Sequence, residues 1–227
     1  MKTLLLWDID GTLLSSGGSG VRALETGLKN AFGLDRPLDG IDYAGRTDRW
    51  IMRQIFGLTG LPATEENFTR LSESYFAALP AELDRGPERV LPGVRALLET
   101  AASRPHIAQG LLTGNLRRGA EIKLGHQNLW HHFAFGGFAD DAELRNDITP
   151  HAVRRAHEHH RVTFQPRRII VIGDTPHDIA CGRVVGARTL ALATGGYSQA
   201  DLRAHAPDAL MADLSDAEAF WTFVDAE

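Results

Sequence analysis

Oxygen-bearing side chains follow apolar runs at three places in this 227-residue chain. The first is Leu4-Leu5-Leu6-Trp7-Asp8-Ile9-Asp10-Gly11-Thr12, and the second is Leu111-Leu112-Thr113-Gly114-Asn115. The third is Ile172-Gly173-Asp174-Thr175-Pro176-His177-Asp178. Taken singly, each has an ordinary use. Asp-x-Asp can be a polar turn, Thr113 can cap the next helix, and Asp178 can sit against a helix dipole. Taken together, they hold the parts that phosphoryl transfer needs. One carboxylate can attack phosphorus and form an aspartyl-phosphate. A second can give a proton to the leaving oxygen and later take one from water. A hydroxyl, backbone N–H groups beside a glycine and a cation can hold the equatorial oxygens. Clustered acids repel one another, so a shared divalent ion or a retained proton must compensate. Magnesium suits two or three carboxylates completed by water.

These groups can meet only if the apolar runs are strands of one sheet. Leu4–Trp7 is apolar without alternation, as a strand covered on both faces is. Residues 106–113 and 168–173 have the same character, and 133–135, 189–193 and 209–211 are shorter strands. Helical patterns separate them at 94–101, 117–128 and 176–185. Thr149-Pro150 reads as an N-cap and first helical residue for a helix ending near His160, and Ser215-Asp216-Ala217-Glu218 as a capping box for a terminal helix. This alternation predicts an α/β fold with a doubly wound parallel sheet, whose strand ends converge on one crevice. Between a Ser/Gly-rich connector (residues 15–20) and Arg85-Gly86-Pro87, the pattern is helical only, with Thr64 as an N-cap. The expected organisation is a core of 1–15 and 88–227 with a helical cap at 16–87.

The motifs resemble those of the haloacid dehalogenase-like hydrolase superfamily, most closely its phosphatase branch with a helical cap after the first strand, of which phosphoglycolate phosphatase is the familiar example. The resemblance implies a Rossmann-like core, with Asp8 as nucleophile and Asp10 as general acid/base. It implies phosphoryl contacts from Thr113, with Gly114 and Asn115 beside it. It also implies magnesium held by Asp8, the Asp10 carbonyl and Asp174, with Asp178 as a water-mediated or supporting ligand. The family's usual lysine after the third strand is absent; Arg145, in Ala142-Glu143-Leu144-Arg145, takes the aligned position and brings a permanent, bidentate charge. The other nearby cation, Lys123, is expected to face solvent. Arg46, in Gly45-Arg46-Thr47-Asp48-Arg49, is a candidate for reading the leaving group from the cap.

Other activities of the superfamily have their own signatures. A dehalogenase typically lacks the second aspartate, a phosphonatase needs a cap lysine, for which only Lys29 is present, and a phosphomutase shares the core motifs. A non-catalytic phosphate-binding regulator would be favoured by loss of Asp8 or Asp10. His157-Glu158-His159-His160 fails the zinc spacing, because Arg161 stands where the second histidine belongs. The formal net charge of -5 argues against nucleic-acid binding. The single cysteine, Cys181, excludes an internal disulfide and fits the cytoplasm, and no stretch reads as a signal peptide or membrane span. The expected partner is a small phosphorylated metabolite.

Overall fold

The run Leu4–Trp7 lacks alternation because its strand, β1 (Thr3–Trp7), is flanked by strands on both edges and by helices on both faces. A computed structural model describes residues 2–226; Met1 and Glu227, the ends of the expected core, lie outside them. The chain then runs through β2 (Leu14–Ser15), α1 (Ser19–Phe32), α2 (Asp48–Thr59), α3 (Glu65–Arg85) and β3 (Arg89–Val90). It continues through α4 (Val94–Ser103), β4 (Ile107–Leu112), α5 (Arg117–His126), β5 (Gly136–Gly137), α6 (Arg145–His160) and β6 (Ile169–Gly173). The last elements are α7 (Pro176–Val184), β7 (Arg188–Leu192), α8 (Gln199–Ala204), β8 (Ala209–Met211) and α9 (Ala217–Asp225).

Six strands form one parallel sheet in the order β5-β4-β1-β6-β7-β8. Strand side chains alternate between faces. Leu5 and Trp7 accordingly join residues of α4, α5 and α9, with Trp7 stacked on Phe220 at 5.7 Å between centroids. Leu4 and Leu6 meet Ile148, Ala152 and Ala156 of α6 and Cys181 of α7 on the opposite face. Full burial of each such leucine is worth about 1.5–3 kcal/mol.

Two elements differ from expectation. The third strand pairs at Gly136–Gly137, not at residues 133–135. A Cβ on Gly137 would lie 2.7 Å from Ile148 Cγ2 and 3.0 Å from Ala152 Cβ. Only a side-chain-free strand lets α6 lie this close to the sheet edge. Helix α6 itself starts at Arg145, not at Pro150, with Leu144 extended before it. Thr149 does not cap it: Leu144 stands at the N-cap, and Thr149 lies buried within the helix.

The inserted helices α1–α3 carry an apolar cluster of their own, including Leu28, Ile55, Phe56, Leu71 and Leu79. The connector before them is ordered. Its glycines 17 and 18 take positive φ values of 57° and 80°, and Arg22 donates to the Gly17 carbonyl at 2.8 Å. Helix α1 begins inside this stretch, at Ser19. The antiparallel pair β2–β3 sets the two chain crossings at the root of the insertion side by side. Thr64 caps α3 as expected, whereas α9 is capped by Asp216 rather than Ser215. Among the described residues, no helix is long and apolar enough to cross a membrane.

Candidate active site

The strand ends do converge. Asp8 continues β1, its N–H donating to the Ile172 carbonyl at 3.0 Å, and its carboxylate is buried. Arg145 begins α6 and is also buried; its Nη2 donates to Asp8 Oδ1 at 2.7 Å and to Asp178 Oδ1 at 2.6 Å. Arg145 is therefore buried between two of these acids and is no surface loop residue. Asp178 is fixed from its other side, where Oδ2 accepts from the N–H and hydroxyl of Thr175, the N-cap of α7. Asp174 completes the group and accepts from the Thr12 hydroxyl at 3.2 Å.

Asp8, Asp174 and Asp178 each present an oxygen within 4.8 Å of the others. Their charges are not balanced by Arg145 alone. Burial, then repulsion from Asp8 and Asp178, pushes the Asp174 carboxyl up to about 8. Burial raises Asp8 to about 6, with Arg145 opposing and Asp178 and Asp10 adding to the rise. Glycines make room here: Gly11, at φ 84°, and Gly195 lie where a Cβ would collide with the Asp174 carboxylate. Three crowded, hard oxygen donors, of which Asp8 and Asp174 are held at unfavourable ionisation, fit a small divalent cation.

Asp10 stands in a second network. Its Oδ2 accepts from Lys123 Nζ at 2.6 Å and from Asn115 Nδ2 at 2.9 Å, while Lys123 also donates to Asn115 Oδ1 at 2.7 Å. Burial opposes ionisation of Asp10, but the Lys123 charge and these hydrogen bonds outweigh it and hold the carboxyl below its ordinary range. Lys123 is buried and does not face solvent; a buried ammonium is tolerable because Asp10 partners it. Asn115 and Lys123 are eight residues apart, but only the turn into α5 brings them to one point. Asn115, expected beside the phosphate, has its side chain engaged with Asp10, Lys123 and Thr113. Thr113 is wholly buried and caps nothing: Leu116 is the N-cap of α5, without a side-chain cap bond.

A cavity of about 300 Å³ lies between these groups and the inserted helices. Arg46 lines it, stacked 4.6 Å from the Trp50 ring and paired with Asp42 at 3.0 Å. Its backbone passes so close to Gly114 that a Cβ there would strike the Arg46 carbonyl. Asp48, which drew no notice in the sequence, is buried in the cavity wall. Its N–H donates to the Gly114 carbonyl at 2.7 Å, and its Oδ2 accepts from the Leu116 N–H at 2.8 Å. Lys29 is paired with exposed Asp35 and does not line the cavity. His157 packs on Phe164, and no metal-type cluster forms around it among the described residues.

The family model for haloacid dehalogenase-like hydrolases matches residues 5–183. The chain belongs to that family. Among relatives of this hydrolase, the "probable phosphatase IndB" of Dickeya dadantii (strain 3937) is 23% identical over 218 residues, covering 95% of this chain and 92% of that protein. A hydrolase from Pseudomonas syringae superposes with a TM-score of 0.72 at 22% identity, covering 97% and 98% of the two chains. CbbY from Rhodobacter sphaeroides, solved in complex with phosphate, superposes with a TM-score of 0.74 at 17% identity, covering 95% and 96%. At these identities the two structures speak for the shared fold.

Proposed function

We propose that this hydrolase is a magnesium-dependent phosphatase of small phosphomonoesters, acting through an aspartyl-phosphate on Asp8, with residues 16–87 as its cap. The observation that carries the proposal is the pairing of two differently held carboxylates at one cavity. Asp8 is gripped by Arg145 beside two further acids, and Asp10 is gripped by Lys123 and Asn115.

In the first half-reaction an Asp8 oxygen bonds to phosphorus as the bond to the leaving oxygen breaks, and Asp10 gives that oxygen its proton. Asp10 is ionised at rest, so it must first take up a proton; an arriving phosphoryl dianion favours this by adding negative charge beside it. In the second half-reaction Asp10 takes a proton from water, the water oxygen bonds to phosphorus, and the Asp8–phosphorus bond breaks. Arg145 steers the phosphoryl oxygens onto Asp8, and the Gly114 backbone offers its N–H to them, the Thr113 N–H being held by the Gly137 carbonyl. Magnesium, held by Asp8, Asp174 and the Asp10 carbonyl with Asp178 beside them, would neutralise charge between carboxylate and phosphate.

Asp8→Asn should lower phosphate release from p-nitrophenyl phosphate by about 10³-fold or more while the melting temperature is retained. Residual turnover within tenfold of wild type would contradict the nucleophile assignment. Stoichiometric free phosphate separates this activity from a phosphomutase. A phosphonatase Schiff base has no support from Lys29, given its surface pairing with Asp35.

A further inference from the structure

Once the phosphoryl group and its cation take the Asp8–Arg145 end of the cavity, the leaving group must lie against the cap side. The apolar part of that wall is Val21, Leu24 and Ile51. Its charged groups do not invite an anion. Lys123 is spent on Asp10 and Asn115, and Arg46 on Asp42. Asp48 adds a further carboxylate, so the lining residues Asp10 and Asp48 stand against Lys123 and Arg46, and Arg46 already pairs with Asp42 outside the lining. Only one oxygen of Asp48 is engaged: Oδ2 accepts from Leu116, and no partner is found for Oδ1 among the described residues. A buried carboxylate with a spare oxygen takes a hydroxyl or ammonium donor well and repels a carboxylate strongly.

We propose that Asp48 is a specificity-determining residue that admits phosphomonoesters of small polyols or amino alcohols and rejects those of hydroxy acids. The proposal rests on the phosphatase reading and narrows it: phosphoglycolate, whose leaving group carries a carboxylate, is excluded as the preferred substrate. Burial raises the Asp48 carboxyl to about 6 against the opposing Lys123 charge and the Leu116 N–H, so it is ionised at pH 7.5.

The test is phosphate release by the full chain with magnesium at pH 7.5. The panel is acetyl phosphate, glycerol 3-phosphate against 3-phosphoglycerate, and phosphoethanolamine against 2-phosphoglycolate. Within each pair, kcat/KM should favour the carboxylate-free ester by roughly 30-fold or more. Asp48→Asn keeps an acceptor for Leu116 and should shrink that preference about tenfold, through KM for the carboxylate esters. Equal or better turnover of the carboxylate esters, with acetyl phosphate hydrolysed, overturns the proposal and leaves the phosphatase standing. An unchanged preference in a folded Asp48→Asn protein removes the assignment from Asp48. Should that variant not fold, the wild-type ratios decide. No phosphate release from any member overturns both readings.

Discussion

Lys123 has the strongest claim to attention among single residues, because its charge is buried where charge is costly. Asp10 supplies the compensation, and the same contact fixes where the Asp10 carboxylate points. Replacing Lys123 with Met keeps the bulk of the side chain and removes both donors. Asp10 then keeps the neutral donors Asn115 and Ser16 but loses its charged partner, and the proposed general acid/base assistance, worth about 10²–10⁴-fold, should be compromised. We expect Lys123→Met to lower kcat for p-nitrophenyl phosphate about 100-fold with little change in KM; a kcat within threefold of wild type would remove Lys123 from the machinery. The types Asp8, Asp10, Thr113, Asp174 and Asp178 were legible from spacing after apolar runs. Lys123 and Asp48 were not, since nothing local marks a helical residue as buried until its partners arrive from elsewhere in the chain.

At the scale of elements, the hinge between α3 and β3 is held by a histidine of α5. His126 Nε2 lies 2.9 Å from Asp84 Oδ1 and its Nδ1 lies 2.5 Å from Glu88 Oε2. The Glu88 side chain is 2% exposed and, among the described residues, has no hydrogen-bond partner beyond this contact. The hydrogen bond with Asp84, outweighing burial, raises the His126 pKa, and the Glu88 charge adds to it. A group raised in this way contributes stability fully below its unfolded pKa, and that contribution is lost as pH rises through the folded value. His126→Gln should therefore lower Tm by roughly 2–4 °C at pH 6, and the gap to wild type should narrow by pH 9. A gap that widens with pH would refute the ion-pair account. Element types were readable from periodicity, whereas the start of α6 and the place of β5 were not. Both depend on how near a helix can approach the sheet, which Gly136 and Gly137 decide through their missing side chains.

For the whole molecule, the acidic cluster should link stability to the proposed cation. In the metal-free protein Asp8 and Asp174 hold protons that the unfolded chain releases near pH 4. Folding stability in EDTA should then fall as pH rises from about 4 toward about 8. Magnesium bound there, as proposed, would relieve the same repulsion, so the gain in Tm on adding it should be larger at pH 8 than at pH 5.5. A gain that is equal at both, or larger at pH 5.5, would count against a carboxylate-held cation. The sequence alone determined the alternation of strand and helix, the all-helical run that follows the first strand, and the acids at the strand ends, because these follow from local periodicity and from residue type. The three-dimensional structure alone decided which basic side chain grips which acid, and that a carboxylate of α2 lines the cavity. Those facts depend on distances between residues far apart in the chain, such as Asp10 and Lys123 or Asp48 and Leu116, and only packing sets such distances.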